Sequence, residues 1–369
     1  MFDVRAHFGK WILVGAMAAA PVGAEVIFEE NFDDQPDWHS AMHSTDRTQF
    51  ADTHVIPKGW YAIRQDPSWA PSVGHADRHE SIEILSSNKD KARSGDKSYV
   101  TWRDSYDAGW NRWNSDSILA IYLREGSKTL YVRFWIKFAP NWTGDGSSKL
   151  FRISSWDEEG SIFGYGGDRY NAPMAMWSYS SYPNNVRSKL SLRGHPQGTN
   201  YFMRNPEPVG LPRSISSGDL SIGFDKDIRD LDGDGEQDNE VTLTSKVSGD
   251  VVSGTVGHKE IYGDDWNQVE FYVQMNTGPG RMDGVLKQWL NGQLVFSNER
   301  LPWMGLESSG GREWNVVAFG GNDFFRSYDN SLRVEEWYAI DDIVVRSDLP
   351  NGSGLVNPPP MPPNNVYIK

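Results

Sequence analysis

Between Trp266 and Arg346 the chain reads as a run of β-strands, and no other segment constrains its fold as strongly. The first piece, WNQVEFYVQMNT, places Val269, Phe271, Val273 and Met275 on one side and Gln268, Glu270, Tyr272 and Gln274 on the other. A period of two is the signature of a strand with one buried face. The second piece, DGVLKQWLNGQLVF, holds Asn291-Gly292, a dipeptide that tolerates the positive φ angles of a two-residue hairpin turn. VVAFGGND and WYAIDDIVV follow, each a short apolar run. The polar side of the first piece offers amide, carboxylate and phenol groups, which suit sugar hydroxyls. Tyr272 and Gln274 are therefore candidate ligand contacts.

Similar short runs precede this block: Val26–Phe28, Ser81–Leu85, Ser98–Trp102, Leu119–Leu123, Leu130–Phe138, Lys149–Ser154, Lys189–Arg193 and Val241–Ser245. Gly, Asn, Asp and Ser clusters separate them. No sustained helical periodicity and no 20–50-residue repeat occurs. The pattern predicts an all-β fold, a two-sheet antiparallel jelly-roll sandwich with a concave groove face. In Leu130–Phe138, Val132, Phe134, Ile136 and Phe138 make the buried side. Arg133, Trp135 and Lys137 lie opposite, and a face that mixes rings with cations suggests a groove lining.

The first 24 residues read as a secretory signal: Arg5 and Lys10, an apolar run from Trp11 to Ala20, then Val22-Gly23-Ala24 as a cleavage site. The run is too short to span a bilayer. Residues 25–349 then form a single domain, and 350–369 form a Pro-rich, flexible tail. The expected location is secreted or periplasmic, and the expected state is a monomer. Losing Arg5, Lys10 and Asp3 leaves 34 basic against 49 acidic residues, a net charge near −15. Such a surface argues against nucleic acid and anionic membranes as partners. The chain has no cysteine, which excludes disulfides and thiolate chemistry. Sixteen Trp, fifteen Tyr and sixteen Phe are enough to fill a core and still supply stacking platforms for sugar rings.

The blocks V-x-F-Y-V-x-M-N-T, D-G-V-L-x-x-W-L-N-G, F-G-G-N-D and I-D-D-I-V-V, with an earlier strand–Lys-Leu–strand, resemble the concanavalin A-like lectin/glucanase jelly roll. Within it, the chain is most similar to polysaccharide lyases of the family-14 alginate lyase and heparin lyase I type, over roughly 131–346. That resemblance implies cleavage of a uronate-containing glycan by β-elimination. A base removes the C5 proton, a cation neutralises the carboxylate, and an acid protonates the leaving oxygen. It implies a functional lysine at Lys149, within Ser147-Ser148-Lys149-Leu150, and a Ser-x-Arg pair at Ser191 and Arg193. Tyr179 and Tyr201 are its candidate tyrosines. The carboxylate pairs expected of a glycosidase are absent.

Asp230-Leu231-Asp232-Gly233-Asp234-Gly235-Glu236-Gln237-Asp238 is the sharpest local motif. Oxygens at positions 1, 3, 5 and 9 around a turn glycine predict Ca²⁺ on Asp230, Asp232, Asp234 and Asp238. Glu29, Glu30, Asp33, Asp341 and Asp342 could supply a second metal site where the first and last strands meet. The sequence thus points to an exported polysaccharide lyase. A non-catalytic glycan-binding or surface protein on the same fold, and a structural protein whose aromatics only pack, are the alternatives.

Overall fold

The computed structural model describes residues 26–66, 79–104, 113–142, 146–164, 171–182, 185–196, 218–223, 243–252, 256–324, 335–351 and 353. Two antiparallel sheets pack face to face. The back sheet contains β1 (Val26–Glu30), β2 (Trp38–His39), β5 (Ile82–Ile84), β6 (Tyr99–Asp104), β8 (Thr129–Phe138), β13 (Asn267–Gln274), β14 (Gly284–Leu290), β15 (Gln293–Leu301) and β17 (Glu335–Arg346). The front sheet contains β3 (Thr48–Phe50), β4 (Ala62–Gln65), β7 (Trp113–Ser127), β9 (Gly146–Trp156), β10 (Asn171–Tyr182), β11 (Asn185–Arg193), β12 (Gly218–Gly223) and β16 (Trp314–Phe324). In space the back sheet runs β15-β14-β13-β8-β17-β6-β5-β2, with β1 also on β17. The front sheet runs β12-β11-β10-β9-β16-β7-β4-β3. Among the described residues the helices are one turn of α-helix, His258–Ile261, and one 3₁₀ segment, Ser86–Lys91.

The alternation read in the sequence is the alternation of the sandwich. Val132, Phe134, Ile136 and Phe138 of β8 and Val269, Phe271 and Val273 of β13 all enter the core. Phe134↔Val269 and Val132↔Phe271 are cross-strand partners, so the apolar sides of these strands coincide. From the front sheet, Phe151, Trp177 and Phe319 meet them, and Phe151 stacks on Phe271 at 4.8 Å. Asn291 and Gly292 carry the positive φ angles their hairpin requires, +50° and +81°. The expectation of a strand over Val241–Ser245 is corrected. Of its described residues, Thr244 makes an isolated bridge to Val251. β10 escaped the sequence reading because Pro173 and its small residues mask its period.

One buried ionic cluster ties the sheets together. Arg103 of β6 donates to Glu336 of β17 through Nε (2.9 Å) and Nη2 (2.6 Å). Its Nη1 crosses the core to Ser148 of β9 (2.6 Å) and Asp323 of β16 (3.0 Å). Its guanidinium also stacks on Trp142 at 4.0 Å. Where β1 meets β17, the expected metal ligands act as loop clips. Asp341 accepts the backbone N–H groups of Arg93, Ser94 and Asp342, and Glu30 accepts those of Phe32 and the Gln35 side chain. Among the described residues no group of three or more acidic or histidine side chains is placed to hold a metal.

Candidate active-site cleft

The outward face of the front sheet carries a rung of small side chains. Ala62 pairs with Ala120, Ala120 with Ala318, and Ala318 with Arg152. Side by side on four strands, the three methyl groups leave a depression next to a long cation. The neighbouring rung repeats this with Arg64, Ile118 and Gly320. The segment after β9 folds over part of the depression, and Ile162 and Phe163 bury against the alanines. Arg152 holds that segment down by donating to the carbonyls of Ile162, Phe163 and Gly164 at 3.2–3.4 Å. What remains open is a cleft of about 330 Å³ lined by Arg64, Asp116, Lys149, Met176, Gly321 and Asn322, among others.

Lys149 reaches this cleft because of a local irregularity. The β9–β16 register shifts between Phe319 and Asp323, at Gly320-Gly321-Asn322. Gly320 has φ +83°, and a Cβ there would collide with the Ser117 carbonyl and the Tyr99 hydroxyl. A Cβ on Gly321 would collide with Lys149 itself. Two glycines are therefore a steric requirement of the bulge. Asn322 then turns toward the lysine, and Nζ donates to Asn322 Oδ1 at 2.7 Å.

Burial lowers the Lys149 amine to about 8, and the nearby Arg152 and Arg64 push the same way against Asp116 and Asp323. An ammonium that sits among cations and is poorly hydrated loses its proton more easily. Asp116 is fully buried and is spent on two arginines, Arg64 Nε at 3.0 Å and Arg47. Its charge fixes Arg64 beside the cleft and offsets part of the arginines' effect on the lysine. Beyond the covering segment the same face carries Tyr61, Tyr122 and Trp156, with ring centroids 5.0–6.2 Å apart. Burial and its bond to Glu158 push the Tyr122 phenol up to about 12.

The sequence-derived residues divide between faces. Ser191 and Arg193 share the outward face of the front sheet with Lys149. Ser191 is the cross-strand partner of Met176, which lines the cleft, and Arg193 is the partner of Met174. Arg193 is buried and donates to the Leu192 carbonyl at 3.0 Å. Tyr179 does not join them. It points into the core against Phe138, Trp142 and Tyr262, with His258 Nδ1 at 3.2 Å from its hydroxyl. Strand parity is the reason: Ala175, Trp177 and Tyr179 take the inward side when Met174 and Met176 take the outward one. Tyr201 and the loop Asp230, Asp232, Asp234 and Asp238 lie outside the described residues.

Arg133, Trp135, Lys137, Tyr272 and Gln274 lie on the outward face of the back sheet. The face of Arg133, Trp135 and Lys137, expected to line a groove, is therefore not the face that carries Lys149. The sandwich core separates the two sets, because the pleat that buries Phe134 turns Arg133 and Trp135 away from the front sheet. The sequence reading missed Arg64, Asp116 and Asn322. A signal for the last was present in Phe319-Gly320-Gly321-Asn322-Asp323, read as sheet structure alone.

No protein-family profile matches this chain, and no curated protein matches it in sequence. Among solved structures it is similar to the endo-β-1,4-glucuronan lyase of the fungus Trichoderma reesei. That match has 10% identity and a TM-score of 0.46, covering 88% of this chain and 96% of that one. It is also similar to the alginate lyase Aly36B in complex with alginate tetrasaccharide, at 11% identity and a TM-score of 0.44, covering 87% and 96%. The marine family-14 alginate lyase of Aplysia kurodai gives 12% identity and a TM-score of 0.41, covering 72% and 86%.

Proposed function

We propose that this protein is a polysaccharide lyase that cleaves a uronate-containing glycan by β-elimination in the front-sheet cleft. The observation that carries this reading is Lys149: a cleft-lining amine brought to about 8 by burial and by Arg152 and Arg64. Near neutral pH a useful fraction of such an amine is unprotonated, and it is matched to proton transfer. A uronate carboxylate in the cleft meets Arg64, which Asp116 holds in place, and Arg193 is the further cation of that face. Neutralising the carboxylate acidifies the C5 hydrogen. Lys149 takes that proton, the electron pair forms the C4=C5 double bond, and the C4–O bond breaks. The ammonium then returns the proton to the departing oxygen, so one group serves as base and acid in turn. Tyr61, Tyr122 and Trp156 offer rings on which neighbouring sugars stack.

A binding-only role is favoured by one observation: no tyrosine or histidine lines this cleft among the described residues. The two readings separate on incubation with alginate, glucuronan, heparin and pectin while ultraviolet absorbance of the unsaturated product is followed. Absorbance that rises in the wild type and is lost in Lys149→Ala supports the lyase. Binding of a uronate polymer with no absorbance rise sinks it in favour of the binding module. Two further parts of this reading rest on the sequence: export directed by residues 1–24, and Ca²⁺ held by Asp230, Asp232, Asp234 and Asp238. Among the described residues no helix is long and apolar enough to cross a membrane.

A further inference from the structure

The back sheet holds a second cavity, remote from the cleft across the core. It has a volume of about 640 Å³, and Arg93, Arg133 and Trp135 line it together with Glu29, Asn31, Asp34 and Asp342. Arg133 and Trp135 project from β8, and Arg93 reaches in from the segment after the 3₁₀ turn to lie over the Trp135 ring at 3.7 Å. Two of the guanidinium nitrogens here, Arg93 Nη2 and Arg133 Nε, are buried and have no hydrogen-bond partner. The Arg93 side chain is only 4% exposed. Buried N–H groups without an acceptor are costly, so each points to an oxygen that a ligand supplies.

Charge identifies the kind of oxygen. Arg93 is already paired with Asp342. Glu30 also lines the cavity, so four carboxylates face two guanidiniums there. That excess of negative charge opposes a uronate, sulfate or phosphate. Neutral hydroxyls fit both halves: they accept from Arg93 and Arg133 and donate to the exposed rim carboxylates Glu29 and Asp34. A cavity of this size accommodates a sugar unit or two. A metal ion fits poorly, because two guanidiniums share the lining with the carboxylates and one of them is already paired with Asp342.

We propose that this cavity is a second glycan-binding site, selective for neutral sugars and independent of the cleft. The test is calorimetric titration of Lys149→Ala protein with cellohexaose, laminarihexaose, mannohexaose, an oligoglucuronate and CaCl₂. At least one neutral hexasaccharide is expected to bind, and Arg133→Met and the rim pair Glu29→Gln/Asp34→Asn each to weaken it at least tenfold. The rim pair, made in wild-type protein, is expected to leave uronate cleavage unchanged. Absence of neutral-sugar binding at 10 mM ligand (about the weakest affinity such titration resolves) would overturn the proposal. So would binding indifferent to both variants, or a rim-dependent site that takes calcium or the oligoglucuronate in preference. None of these results bears on cleavage in the cleft, so the two proposals fail separately.

Discussion

Arg103, buried, and Lys149, half-buried, are two cations held by the same strand ends, one on each side of the front sheet. Ser148 and Asp323 turn inward to Arg103, while their chain neighbours Lys149 and Asn322 turn outward to each other. Arg103 has two buried carboxylates, Asp323 and Glu336, which drive its ionisation further up. Lys149 has a neutral amide as partner and cations as neighbours, which bring it down to about 8. The cation set between two carboxylates joins sheets, and the one beside an amide and two arginines is left able to exchange a proton. A bulge of two glycines is enough to put these opposite environments on adjacent residues.

The strongest way to break this comparison is to remove the reactive member. Lys149→Ala should lower β-elimination by about 10²–10⁴-fold, the range for losing a general acid–base group. Its urea midpoint should stay near wild type, since an ammonium that burial and two arginines disfavour disappears with it. Removing the structural member should do the reverse. Arg103→Met leaves Asp323 and Glu336 buried without their cation and should cost about 3–5 kcal/mol in urea unfolding. Adding Asp323→Asn and Glu336→Gln to Arg103→Met should recover part of that loss. No recovery would mean that Arg103 acts through packing on Trp142.

Asn322→Asp sharpens the contrast by giving Lys149 the partner Arg103 enjoys. A carboxylate at that distance should raise the amine by about one unit or more. The rising limb of activity against pH, expected near 8 in the wild type, should move up with it. A limb that stays in place would show that another group titrates. The sign for stability follows the same shift. The folded protein releases this proton before the unfolded chain does, so stability linked to Lys149 is gained as pH rises from about 8 toward the ordinary lysine range. It is lost as pH falls from that range and is gone by about 8. The smallest effect is expected from chelation: if Ca²⁺ occupies the Asp230–Asp238 loop, a chelator should lower the melting temperature by a few degrees. An unchanged scan would remove the metal from the reading.

Legibility in the sequence followed the range of the forces involved. The strands around Phe134 and Phe271 were plain because burial with period two is a local property of consecutive residues. β10 was not, since its small residues and Pro173 carry little periodic signal although its inward rings are core. Lys149 was marked by resemblance, but its surroundings were not. Arg64, Asp116 and Asn322 lie 85, 33 and 173 residues away along the chain, and strand pairing brings them together.

Which residues alternate and where the hairpins turn were matters of local sterics, and the amino-acid sequence determined them alone. Which outward face belongs with which was decided only when two sheets packed. Arg133 and Lys149 each sit opposite a buried phenylalanine or leucine in their own strand, and local pattern cannot tell that those strands belong to different layers. Once the layers form, the core stands between them. One polar face then gathers around a deprotonatable lysine, and the other around two arginines that still have N–H groups to give.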